Sequence, residues 1–203
     1  MLADKPREPV QIPERLPLLP LRDMAVYPFI IAPLSIARAS SIHAVNRALA
    51  GNRMVLLATQ RDRDMDDPEL GDLYPVGTVA VIMRMLKLPD ERIRVLVQGV
   101  CRARIRGLQE GSGHTEAELE PMLEPQDADD REAEETVECE ALMRTVKKAL
   151  ERGVNLGQSL PSELQVIANN LEDPGRLADL VASNLELDPE EAQEVLEAVA
   201  PID

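Results

Sequence analysis

The apolar residues change their period near Pro125, and that change constrains the fold more than any other feature of the sequence. Before it, short stretches alternate apolar and polar residues, the period of a half-buried strand. After it, apolar residues recur every three to four positions, the period of an amphipathic helix. In "RIRVLVQ" (92–98), Ile93, Val95 and Val97 point inward and Arg92 and Arg94 outward. "VCRARIRGL" (100–108) repeats this, with Cys101, Ala103 and Ile105 inward and Arg102, Arg104 and Arg106 outward, and Gly99 permits a bulge between them. "TEAELEPM" (115–122) turns Ala117 and Leu119 inward. In "VGTVAVIMRMLKLP" (76–89), Val79, Val81, Met83 and Met85 share a face, and Asp90-Glu91 sits where a hairpin turns.

Upstream, "LPLLPLR" (16–22) is extended, since Pro17 and Pro20 forbid a helix interior and favour a sheet edge or a closing strand. "VYPFIIAPL" (26–34) has the same style, "RMVLLATQ" (53–60) reads as a buried strand, and "RDRDMDDPELGD" (61–72) as a charged loop. One helix interrupts them at 39–50: Ile42, Val45, Ala48 and Leu49 share a face, Ser40 or Ser41 can cap its start, and Gly51 stops it. Several short strands around one helix suggest a small closed or nearly closed barrel.

The rear part reads as about four helices. The first spans 127–153, with a stripe of Val137, Ala141, Val146, Ala149 and Leu150 and Gly153 as C-cap. The second covers 160–173, with Pro161 near its first position. The third follows Asp173-Pro174 with Leu177, Leu180, Val181 and Leu185 on one side. Asp188-Pro189-Glu190-Glu191 is a capping box for the fourth, whose apolar face is Ala192, Val195, Leu196 and Val199. The expected organisation is a flexible segment at 1–15, a β-rich unit at 16–123 and a helical bundle at 124–203.

Charge divides at nearly the same place. Residues 1–108 hold 12 acidic and 16 basic side chains, net +4, whereas residues 109–203 hold 25 and 6, net −19. The acidic part would repel a phosphate backbone. The outward arginines (Arg92, Arg94, Arg102, Arg104 and Arg106) form a positive face, but no aromatics interleave to stack on bases. They read as solvated or paired with the acidic loop or bundle, and nucleic acid is not an expected partner.

Catalytic signals are missing. There is no GxSxG, no GxxxxGK[ST] and no GxGxxG, and the only histidines are His43 and His114. Cys101 lies among inward apolar residues and Cys139 among glutamates, which dull a thiolate. "DRDMDD" (62–67) lacks the glycine and the terminal glutamate of a calcium loop. No catalytic residue, cofactor or metal is expected. Two unclustered cysteines point to a reducing compartment, no apolar run is long enough to span a membrane, and cytoplasm is the expected location. The abrupt end at "APID" reads as a piece of a longer polypeptide.

The candidate binding group is Met24, Val26, Tyr27, Phe29, Ile30 and Ile31. It carries two of the three aromatics in a proline-stiffened segment, and either grips exposed apolar polypeptide or closes the barrel core.

Three stretches together resemble a known family. "LPLLPLRDMAVYPFIIAPLSIAR" (16–38), "DDPELGDLYPVGTVAVIMRMLKLPDERIRVLVQGVCRARI" (66–105) and "LEDPGRLADLVASNLELDPEEAQEVLE" (171–197) follow the order and spacing of the N-terminal domain of ATP-dependent Lon proteases. The resemblance implies a PUA-like β-barrel followed by a helical bundle, which recognises misfolded or degron-bearing substrates and helps hold a homohexamer. It implies an ATPase that uses ATP and Mg and a Ser-Lys protease elsewhere in a full-length parent. A stand-alone adaptor and an RNA-binding PUA-like protein are the alternatives. The chain departs from the family pattern at Phe29, where a small residue is usual, at Ser35, and at "LPDE" in place of "LPDG".

Overall fold

The computed structural model describes residues 11–122, 133–156 and 160–198. Among these, the fold is a mixed α+β arrangement of six strands in one sheet and five helices. The elements run β1 (Arg15–Leu21), β2 (Ile31–Ile36), α1 (Ala39–Leu49), β3 (Met54–Thr59), β4 (Val76–Lys87), β5 (Ile93–Glu110), β6 (Thr115–Met122), α2 (Ala133–Asn155), α3 (Ser162–Asn170), α4 (Pro174–Ala182) and α5 (Pro189–Glu197). A 3-10 turn at Leu70–Asp72 lies in the charged loop.

The sheet order is β2-β5-β4-β3-β1-β6, and β6 pairs back onto β5. Strand pairing therefore runs in a cycle through β5, β4, β3, β1 and β6, with β2 added on β5. Only β1–β3 is parallel, and β2 and α1 lie on the connection between them. β1 is not an edge. It divides its pairing, residues 15–17 to β6 and 18–21 to β3, and this accommodates Pro17 and Pro20. β2 is the edge, and Pro33 sits on it.

The stretches read as two strands around Gly99 are one 18-residue strand with a register shift at that point. β4 departs from its expected face. Val79 is buried, but so are Ala80 and Ile82, whereas Met83 is exposed. Register shifts between Val79 and Ala80 and between Ile82 and Arg84 break the strict alternation. β4 thereby serves two apolar clusters. One joins Leu19, Leu34, Val45, Leu57, Ile82 and Val95; the other joins Leu16, Leu56, Val79, Ala103, Ile105 and Leu119.

α1 buries Ser41, Ala44, Val45 and Ala48 on the first of these clusters. Its N-cap is Arg38 rather than Ser40 or Ser41, and Ser41 lies inside the helix. Arg38 Nη2 instead donates to Gln60 Oε1 (2.6 Å) and to the Met65 carbonyl (3.1 Å), tying down the charged loop.

α2 buries Cys139, Leu150 and Gly153, and half-buries Met143 and Val146 between them. The expected stripe is therefore only partly right. Val137, Ala141 and Ala149 are exposed, and Gly153 is a buried helix residue, not a C-cap. α2, α3 and α4 share a cluster of Leu150, Leu164, Ala168 and Leu177. Leu185 is exposed, and Val199 lies outside the described residues, as does the expected break at 123–124. At α5, Pro189 holds the first position and Glu191 accepts from the Asp188 backbone N–H at 3.1 Å, the reciprocal cap expected from the sequence.

The β4–β5 turn places Glu91 at φ +63°, a left-handed position suited to glycine. Glu91→Gly should raise stability by about 0.5–1 kcal/mol, read as a higher urea midpoint at unchanged slope.

Candidate functional site

The candidate segment is the link from β1 to β2. Only its last residue, Ile31, belongs to a strand, the start of β2, so side-chain hydroxyls and loop bonds fix the rest. Thr59 Oγ1 donates to the Met24 carbonyl (3.2 Å) and Thr78 Oγ1 to that of Val26 (2.5 Å). The Phe29 N–H donates to the Gly99 carbonyl and the Gly99 N–H to that of Ile30, each at 3.0 Å. Gly99 has no room for a side chain, because a Cβ there would lie 2.2 Å from the Tyr27 carbonyl oxygen. The segment therefore lies flat on the bulge of β5.

This path sorts the six residues. Val26 is buried in the sheet core and Tyr27 in a cluster with Val76, Ala182 and Leu196. Ile30 is half-buried against that cluster. Met24, Phe29 and Ile31 are open to solvent, at 37%, 39% and 50% exposure. Phe29 holds φ +63°, a conformation that costs a bulky side chain about 1–2 kcal/mol. The Arg176 guanidinium of α4 covers one face of its ring, 3.9 Å from the centroid.

Under the segment lies the joint between strands and helices. Tyr27 Oη donates to the Ala192 carbonyl of α5 (2.9 Å), and Gln193 Nε2 donates to the Val76 carbonyl of β4 (2.8 Å). Arg102 of β5 donates to both Asp179 oxygens (3.0 and 2.6 Å) and through Nε to the Leu196 carbonyl (2.9 Å). The side chains of Arg102 and Asp179 are only 11% and 2% exposed. Burial pushes the Asp179 carboxyl up, and the hydrogen bonds and charge of Arg102 pull it back. Burial, with the Asp179 charge beside it, raises the Tyr27 phenol to about 12 against the opposing pull of Arg102.

The row of outward arginines is thus not a continuous solvated face. Arg102 alone is spent on the joint, whereas Arg92, Arg94, Arg104 and Arg106 are exposed, Arg106 beside Glu120 and Arg92 beside Asp90. Cys101 packs against the second sheet cluster. Among the described residues, no group of three or more His, Cys, Asp or Glu side chains is placed to hold a metal, and no helix is long and apolar enough to cross a membrane. What the arrangement offers chemically is apolar contact: Met24, Phe29 and Ile31, with Met83 and Leu86 exposed on β4, two strands over from β2. Sequence alternation did not mark Met83, because the bulge beside it turned it outward.

The family model of the ATP-dependent protease La (LON) substrate-binding domain matches residues 15–203. The chain belongs to the Lon substrate-binding domain family. It is 49% identical over 195 residues to a Lon protease of Trichlorobacter lovleyi and 45% identical over 195 residues to one of Geobacter metallireducens. In each case the match covers 96% of this chain and 23% of the relative, so the chain spans about a quarter of the length of these relatives. The fold matches the N-terminal domain of a Mycobacterium avium complex Lon protease, with TM-score 0.73 at 22% identity over 93% of this chain and 92% of that one. It also matches a Lon N-terminal domain protein from Xanthomonas campestris, with TM-score 0.60 at 16% identity over 92% of each chain. For this Lon-family fold the joint is the feature most open to test.

Arg102→Met or Asp179→Leu alone should each cost about 3–5 kcal/mol by stranding a buried charge. The double variant should lose clearly less than the sum of the two, with a coupling of at least about 1.5 kcal/mol in urea unfolding. A second check uses alkali. The folded chain keeps the Tyr27 proton to about pH 12, whereas an unfolded tyrosine releases it near pH 10. The stability from this group is full below about pH 10 and is lost as pH rises through about 12. Tyr27→Phe should flatten that decline in unfolding midpoints measured across the same window.

Proposed function

We propose that this chain is the client-engaging part of an ATP-dependent serine protease of the Lon type, binding misfolded, abnormal or short-lived regulatory proteins and handing them on. The observation that carries this reading is the family match across residues 15–203 on a fold that leaves Met24, Phe29 and Ile31 each exposed within one short segment. The curated relatives are Lon proteases about four times as long, so cleavage belongs to parts of such a protein outside the matched region. ATP and Mg would act there, and no catalytic role is assigned to any residue of this chain.

In finer detail, the cyclic strand pairing supports a PUA-like barrel, and the shared α2–α3–α4 cluster supports a helical bundle behind it. Self-association within a homohexameric parent and a cytoplasmic location complete the proposal. An RNA-binding role gains no support, because Arg102 is buried against Asp179 and no aromatic side chain interleaves the exposed arginines for base stacking.

The proposal is tested with reduced, carboxymethylated lactalbumin as an unfolded client. Phe29→Ser with Ile31→Ser should weaken its binding at least about tenfold. The melting temperature should stay within about 3 °C, because both side chains are solvent-facing. Equal affinity in the folded double variant would remove this surface from the client site.

A further inference from the structure

We propose that Phe29 is a strained specificity residue, kept in a glycine-like backbone conformation to hold its ring toward an apolar client, with Arg176 as the residue that positions the ring. This rests on the client-binding reading and adds the chemical contact that does the gripping.

Three observations converge on it. The backbone at Phe29 is left-handed (φ +63°), which glycine or asparagine adopts without penalty and a phenylalanine does not. That conformation is locked, because the bonds on either side to Gly99 fix the chain and Gly99 admits no shift toward Tyr27. The ring belongs to none of the apolar clusters among the described residues and is 39% exposed. A side chain that strains the backbone and fills no core contributes through what it meets outside.

Arg176 explains how an exposed ring keeps a defined direction. Its backbone N–H donates to Asp173 Oδ1 (2.8 Å), which caps α4, and its guanidinium lies over one ring face. The part of the ring that stays exposed is left for an aliphatic or aromatic side chain of an extended polypeptide.

The experiment measures melting temperature and affinity for carboxymethylated lactalbumin in single variants of Phe29, Arg176 and Ile31. Phe29→Gly and Phe29→Asn relieve the strain; they should melt at or above the wild-type temperature and bind about five- to thirtyfold more weakly. Arg176→Ala should bind about two- to fivefold more weakly, and Arg176→Lys, which restores a cation over the ring, should recover most of that loss. Phe29→Trp supplies the only tryptophan in the chain. Its emission should shift when Arg176→Ala is added and return with Arg176→Lys. Unchanged affinity in Phe29→Gly overturns the inference, as does a fall of several degrees in both strain-relieving variants, which would make the ring structural. Ile31→Ser separates the two readings. If it weakens binding while Phe29→Gly does not, client binding stands and the role of Phe29 falls; if neither does, both fall.

Discussion

The bidentate pair between Arg102 and Asp179 sets how the helices sit on the sheet. The apolar contact around it is small, with Tyr27, Val76, Ala182 and Leu196 as its buried members. Such a patch favours association but does not choose an orientation, because apolar burial is non-directional. The guanidinium fork does choose. Its two bonds to Asp179 fix the rotation of α4, and its third, to the Leu196 carbonyl, fixes the end of α5. A lysine would bring a point charge and no plane. Asp179 and Arg176 are three residues apart on α4, so they share a side of the helix. The rotation that aims Asp179 at Arg102 also brings Arg176 over Phe29.

The β1–β2 link has a second determinant in the bulge of β5. A regular strand has alternating faces and close neighbours on both sides, leaving no ledge on which an irregular segment can rest. At Gly99 the side chain is absent, and just beyond the last β2–β5 pair, Ile31 with Gln98, its backbone N–H and C=O bond to the Tyr27–Ile30 turn. The link gains strand-like hydrogen bonds without strand geometry, so Tyr27 can point toward α5 and Phe29 away from the sheet.

What could be read from the sequence follows the same physics. The inward faces of β6 and of the first half of β5, the wholly buried β3 and the α5 cap all depend on local pattern, and they stand where expected. α2 shows the limit. Val137, Ala141 and Ala149 lie at helical spacing, and so do Cys139, Met143, Val146 and Leu150. The packing of α3 and α4 decides between the two stripes, and a single helix carries no record of it. Arg102 shows another limit. Alternation correctly directs it away from the sheet interior, but that side is where α4 arrives, and its partner is 77 residues away. In the candidate segment no period operates ahead of β2, so nothing in the order Met24 to Ile30 distinguishes the buried Tyr27 from the exposed Phe29.

That juxtaposition has a mechanical consequence. Tyr27 and Phe29 are separated by one proline, and the first is bonded to α5 while the second lies against α4. Proline removes a soft dihedral between them, so a displacement of one is transmitted to the other. A load on the exposed side of the segment is therefore shared between the joint, through Tyr27 and Phe29, and the sheet, through the bonds to Thr59, Thr78 and Gly99. The joint rests on a handful of directional bonds around the apolar patch of Tyr27, Val76, Ala182 and Leu196.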